Sequence, residues 1–163
     1  MKSIFTKQLI IASMMIFSFF FYLVDRYYIA FDQQEKPCLF STVFLVDTWA
    51  TTEDFEHGDL MAYDYHMENT LIPKGTVLVK RVASLPNQTL RFSAKSVSVD
   101  DKEYFADITS ELKRLKVNMP KEVEYKTGMG EFFLVGETAY SYDSRYWGSA
   151  KEDNIVGKAY AIF

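Results

Sequence analysis

From Leu9 to Val24 the chain carries no charge and is built mostly of Ile, Met, Phe and Leu. No other stretch restricts the possible folds as much, because an apolar run of this length near a terminus is either membrane-embedded or removed. The run is slightly shorter than the roughly 20 residues a helix needs to cross a bilayer. Gln8 and the ends can snorkel, and Tyr27-Tyr28-Ile29-Ala30-Phe31 extends the apolar face past Asp25 and Arg26. A cleaved export signal is the competing reading, but bulky Phe20, Phe21, Tyr22 and Leu23 stand where a small-residue cleavage site would be needed. The expectation is a retained anchor spanning about residues 8–28 within a segment 1–31, followed by one domain, 32–163. Lys2 and Lys7 precede the span, whereas Asp25, Asp32 and Glu35 dilute the positive charge beyond it. The positive-inside rule then puts the N-terminus in the cytoplasm and the domain outside. In a bacterium that is the periplasmic face of the inner membrane.

Composition narrows the remaining classes. A length of 163 residues allows one modest domain besides the anchor. A net charge of −4, without a basic block, gives nucleic-acid binding no electrostatic support. Cys38 is the only cysteine, which excludes an internal disulfide and a cysteine-rich metal site. With His57 and His66 as the only histidines, a catalytic metal centre is poorly supplied, and no cofactor is expected.

Beyond Gln33 the pattern is of short strands separated by turns. Leu39–Val46, Leu60–Tyr63, Gly75–Val82, Thr89–Phe92, Val97–Val99, Glu131–Val135 and Ile155–Ile162 have the apolar, β-branched character of strands. Leu85-Pro86-Asn87 reads as a turn and Asp100-Asp101 as a hairpin tip, while Thr48–Glu56 is polar and loop-like. Ser110–Lys116 suits a short helix with a Glu111/Arg114 pair. The fold class expected is mainly β, a coiled antiparallel, barrel-like sheet on a single transmembrane helix.

Two segments are too particular to be generic strands or turns. One is Ser141-Tyr142-Asp143-Ser144-Arg145-Tyr146-Trp147-Gly148, and the other is Lys80-Arg81-Val82-Ala83-Ser84-Leu85-Pro86-Asn87. In this order they resemble two boxes of the type I signal peptidases, membrane-bound Ser/Lys endopeptidases that trim exported precursors. The short segment between Phe92 and Glu131 resembles the conjugative-transfer branch (the TraF type), which matures pilins for type IV secretion and plasmid transfer. The resemblance implies that Lys80 is the general base. By position alone, Lys80 reads as a solvent-facing strand end, since lysines are rarely buried unpaired. Were such a lysine buried in an apolar wall, desolvation would favour its neutral, proton-accepting form.

The nucleophile is less direct. The branch's box, approximately Ser-x-Pro-x-Gly-x-Tyr-x-Val, superposes best on Cys38-Leu39-Phe40-Ser41-Thr42-Val43-Phe44-Leu45-Val46, which puts Cys38 on the nucleophile. A register with Ser41 there is the alternative. A free cysteine is more often a small buried hydrophobe, yet a thiol near pKa 8.5 needs less activation than a hydroxyl. The resemblance further implies that Ser141 hydrogen-bonds Lys80 and that Asp143 pairs with Arg145. The Cys38 N–H is the expected oxyanion donor, with Lys36 at the place of a side-chain donor. Phe40, Phe44, Met61 and Val79 are expected to bind substrate or face lipid. The implied partners are a pilin or another exported precursor peptide and the lipid bilayer, and the chain is expected to be a monomer. Housekeeping signal peptidase activity and an inactive scaffold for pilus assembly are the competing functions.

Overall fold

The structure, a computed structural model, describes residues 2–32, 34–67 and 71–163. Helix α1, Lys2–Arg26, contains the apolar run and offers a candidate membrane span over Lys7–Arg26. None of residues 7–26 is buried against the rest of the protein. The helix leads directly into strand β1, Tyr27–Phe31, which pairs antiparallel with β2, Val43–Asp47. Tyr27–Phe31 therefore belongs to the sheet and does not prolong the helix. Four of these five side chains are aromatic or β-branched and suit a paired strand, so ladder hydrogen bonds outweigh the helical apolar face.

Mainly antiparallel β structure follows, in two sheets. The larger has the order β1-β2-β11-β3-β4-β9-β10, with β3 at Leu60–Tyr65, β4 at Thr76–Ser84, β9 at Glu131–Val135, β10 at Ala150–Lys151 and β11 at Ile155–Ala161. The smaller has the order β7-β6-β5-β8, with β5 at Thr89–Phe92, β6 at Ser96–Val99, β7 at Lys102–Phe105 and β8 at Val123–Lys126. Helix α2, Thr109–Leu115, carries the expected Glu111–Arg114 ion pair. Asp100, at the tip between β6 and β7, has φ 50°.

The period-two alternation of strands builds the interior. Met61, Tyr63 and Tyr65 of β3 enter one core with Leu78, Val82, Phe132 and Leu134, while Leu60 and Ala62 enter another with Phe44, Val46 and Ala159. Phe133 and Val135 turn the other way, joining Leu90, Phe92, Val97 and Val99 of the small sheet. One residue of this alternation is unusual. Lys80 lies between Leu78 and Val82 on the core-facing side of β4, opposite Met61, and is 2% exposed.

The expected strand Leu39–Val46 is shorter than predicted, because regular structure begins only at Val43. Residues 38–42 find their backbone partners elsewhere. Cys38 O accepts from Glu137 and Thr138 N–H, and Phe40 N–H donates to Glu137 Oε2. Thr42 and Val43 N–H both donate to Phe163 O. A segment whose hydrogen bonds are taken by a loop and a chain end has none left for a ladder.

Candidate active site

The Ser-x-Asp-Ser-Arg segment folds around one carboxylate. Asp143 caps helix α3, Ser144–Trp147, accepting from Arg145 N–H at 3.2 Å. Its Oδ2 also accepts from Ser141 Oγ at 2.7 Å, Gly136 N at 3.1 Å and Arg145 Nη2 at 2.7 Å, while Oδ1 accepts from Arg145 Nε at 2.9 Å. Asp143 and Arg145 are both buried. Burial alone would raise this carboxyl. The Arg145 charge, the bonds from Arg145 and Ser141 and the charge of Lys80 outweigh it and hold it below the usual carboxylate range. Arg145 Nη1 donates to Ala106 O at 2.6 Å, tying the segment to the chain beyond the small sheet. Ser144 Oγ accepts from Leu134 N–H at 2.9 Å, anchoring α3 on β9.

Behind α3, Trp147 stacks on Tyr63, with ring centroids 5.7 Å apart, and Gly148 ends the turn at φ 85°, a conformation that favours glycine. Burial, with the nearby Asp143 charge, pushes the Tyr146 phenol up to about 12.

A loop clamps the Cys38 segment from the other side. Glu137 and Thr138 N–H grip Cys38 O, Thr138 Oγ1 donates to Pro37 O at 2.7 Å, and Phe40 N–H reaches Glu137 at 2.9 Å. Arg81, the neighbour of Lys80 on β4, holds Glu137 by an ion pair and donates to Gly58 O. Gly136 is packed between Ser141 and the Cys38 backbone. A Cβ there would lie 2.1 Å from Ser141 Oγ and 2.7 Å from Cys38 O, so no side chain fits.

Two cavities of about 330 and 670 Å³ meet at this place, and Cys38 and Lys80 line both, together with Gln34, Thr76 and Leu78. The smaller is closed by Ala30, Phe31, Phe44 and Val79; the larger opens toward Lys36, α2 and Tyr140. Ser41 lines neither. Cys38 is buried and its Sγ donates to Gln34 Oε1 at 3.6 Å. Among the described residues neither Cys38 N–H nor Lys80 Nζ has a hydrogen-bond partner.

Several sequence expectations change here. The structure holds no Ser141–Lys80 hydrogen bond; the Ser141 hydroxyl donates to Asp143 instead. Met61 and Phe44 are core side chains; Met61 is wholly enclosed, and Phe44 meets only the floor of the smaller cavity, so neither forms an exposed rim. Lys36 Nζ lies 4.6 Å from the Tyr140 ring centroid, engaged in a cation–π contact. Phe40, in contrast, is 81% exposed. Gln34, Thr76 and Leu78 were not anticipated. Leu78 carried a signal, since it is two residues from Lys80 on the same strand face.

The sequence profile described as "Signal peptidase, peptidase S26" matches residues 2–163. The chain belongs to this signal peptidase family. It is similar to signal peptidase I V of Bacillus subtilis (strain 168), at 30% identity over 95 residues, covering 52% of this chain and 56% of that one. Signal peptidase I U of the same organism is 26% identical over 118 residues, 69% of this chain and 60% of that one. The chain thus spans between half and two thirds of the length of these curated relatives. Among solved structures, a signal peptidase I from Enterococcus faecalis V583 superposes with a TM-score of 0.43 at 19% identity, over 63% of this chain and 94% of that one.

Proposed function

We propose that this chain is a membrane-anchored endopeptidase that cleaves exported precursors through a Cys38/Lys80 dyad. The observation that carries the reading is that a buried lysine and a buried thiol line the same two cavities, whereas Ser41 lines neither. In the reaction, Lys80 is the general base that takes the Cys38 proton as the sulfur attacks the scissile carbonyl. The unengaged Cys38 N–H receives the oxyanion, with the Gln34 amide, already bonded to the sulfur, as side-chain donor in place of Lys36. Collapse breaks the peptide C–N bond, Lys80 returns the proton to the departing amine, and a thioester remains. Water, deprotonated by Lys80, then frees the acid and the thiol. Ser141, Asp143 and Arg145 position the wall beside Lys80 rather than reacting.

Lys2 and Lys7 ahead of the candidate span, against Asp25, Asp32 and Glu35 beyond it, favour a site outside the inner membrane, with residues 32–163 periplasmic and the precursor cut close to the bilayer. Val79 and Phe40 contact the precursor. Two substrate readings follow, each with its own support. The curated relatives carry the name signal peptidase I, which favours a broad range of exported proteins. The cysteine favours a conjugative pilin. A thioester prefers amines to water, so the pilin's own N-terminal amine, held near the acyl carbon, would close a ring.

Incubating the purified full chain with a precursor in lipid vesicles tests the whole scheme. Cleavage abolished by Cys38→Ala and Lys80→Ala but kept by Ser41→Ala is expected. The reverse pattern at 38 and 41 would move the nucleophile to Ser41, and no cleavage by the unaltered chain would favour a scaffold. Intact mass separates the substrate readings, because a cyclic pilin is lighter than the linear product by one water.

A further inference from the structure

The end of helix α1 is fastened to the sheet far more firmly than chain continuity requires. Arg26, the last helical residue, donates from Nε to both oxygens of Asp47 at 3.0 and 3.1 Å and from Nη2 to Oδ2 at 2.6 Å. Asp47 is buried, and it also accepts from Trp49 N–H at 3.1 Å. This forked guanidinium–carboxylate geometry fixes direction as well as distance.

Three further contacts act at the same joint. Thr48 caps the helix from another element, its N–H and Oγ1 each donating to Arg26 O at 2.9 Å, which satisfies a carbonyl that helices leave open. The Tyr22 and Trp49 rings meet edge to face at 5.3 Å. Arg26 lies over the Tyr27 and Trp49 rings and also donates from Nη1 to Tyr22 Oη at 2.8 Å. A Tyr/Trp/Arg cluster at the end of an apolar helix is the composition that settles at the membrane–water boundary.

Above the joint the helix gains no support, since none of residues 7–26 is buried. Below it there is no linker. Strand β1 starts at Tyr27, pairs with Asp47 at that residue and delivers Ala30 and Phe31 to the wall of the cavity that holds Cys38 and Lys80. Five residues of strand rise about 17 Å. A helix end held at the boundary and a rigid strand of fixed length set the height of the site above the bilayer.

We infer that the Arg26–Asp47–Thr48–Trp49 joint is a ruler: it selects the cleavage position in a membrane-inserted precursor by holding the dyad at one height. The inference rests on the peptidase reading and adds to it a positioning role for residues that do not touch the substrate. A precursor whose scissile bond lies nearer to or farther from its own membrane segment would miss the dyad. A peptide free in solution carries no such constraint.

The experiment uses the full chain in lipid vesicles and two substrates. One is a set of membrane-inserted precursors in which the spacer between the apolar segment and the cleavage position grows residue by residue. The other is a water-soluble peptide with the same cleavage sequence. Three variants loosen the joint: Arg26→Gln, Asp47→Asn, and an insertion of about six Gly/Ser residues between Arg26 and Tyr27, which uncouples the helix end from strand β1 while leaving the contacts within residues 27–163 in place. The unaltered chain is expected to cut a narrow band of spacers. The variants are expected to cut a band wider by about three or more spacer lengths, with kcat/KM on the soluble peptide within about twofold of the unaltered chain.

An unchanged narrow band in the insertion variant, with soluble-peptide cleavage intact, would overturn the ruler while leaving the peptidase reading standing. Failure of the unaltered chain on both substrates would remove the peptidase reading and the ruler with it. Should the point variants lose soluble-peptide cleavage through misfolding, the insertion variant alone decides.

Discussion

The two sides of the candidate site are built by opposite means. The side holding Ser141, Asp143 and Arg145 is buried, and the Asp143 carboxylate accepts five hydrogen bonds from its neighbours. The Cys38 side is a segment without regular structure, held at its backbone by Glu137 and Thr138. Satisfied buried networks lock geometry, whereas a loop held at a few points can adjust. The Asp143 side therefore behaves as a fixed wall and the Cys38 side as a flap held at fewer points. A substrate entering between the two would displace the flap before the wall.

The largest effect expected is on chemistry itself. Lys80→Ala and Cys38→Ala should each lower precursor cleavage by about a thousandfold or more, measured by gel-resolved processing under single-turnover conditions. Cys38→Ser should fall between the unaltered chain and Cys38→Ala. Equal activity in Lys80→Ala and the unaltered chain would end the dyad reading and with it the contrast between wall and flap.

Breaking the wall should cost stability rather than only rate. Asp143→Ala leaves Arg145 buried and unpaired, and the loss expected is about 3–5 kcal/mol, read from chemical denaturation in detergent. A loss under about 1 kcal/mol would mean that the wall is no more rigid than the flap.

Acid probes the same carboxylate without mutation. Its folded pKa lies below the unfolded value, so its contribution is fully present above the unfolded carboxylate range of about 3.9. As pH falls through the lower, folded value, that contribution disappears. Denaturation midpoints should therefore drop in the unaltered chain below about pH 4 and drop less in Asp143→Asn. Parallel curves would deny Asp143 this role.

The smallest effects belong to the flap. Thr138→Val removes the bond to Pro37 O and should cost about 1 kcal/mol or less in stability. Glu137→Gln weakens the link from Arg81 to the Cys38 segment. It should slow cleavage by about tenfold while moving the denaturation midpoint little. The rate of Cys38 alkylation, followed with pH, distinguishes a displaced thiol from a destabilised fold. An alkylation profile unchanged in Glu137→Gln would show that the flap does not depend on this carboxylate.

Much of the scaffold was legible in the chain. Alternating strands such as Gly75–Val82 and Glu131–Val135, the Asp100 tip and the Glu111–Arg114 pair are local events, decided by residues a few positions apart. The Asp143–Arg145 pair is local too, and the structure contains it. Where prediction failed, the deciding partner was distant. Leu39–Thr42 has the composition of a strand, but its hydrogen bonds go to residue 137 and to Phe163. Tyr27–Phe31 reads as a continuation of the helix, but Val43–Asp47 supplies a ladder for it. Val123–Lys126, which has two charged residues in four, becomes a strand only because Thr89–Phe92 lies alongside.

By itself, then, the sequence determined the apolar helix, the antiparallel strand pattern and the family, because periodicity and short motifs are properties of neighbouring residues. Only the tertiary structure decided that Lys80 is buried, that Cys38 rather than Ser41 shares its cavities, that Ser141 serves Asp143, and that Arg26 locks onto Asp47. Burial and pairing depend on which distant strands close over a side chain. A lysine at the end of an apolar run looks the same in sequence whether water or a core lies beyond it.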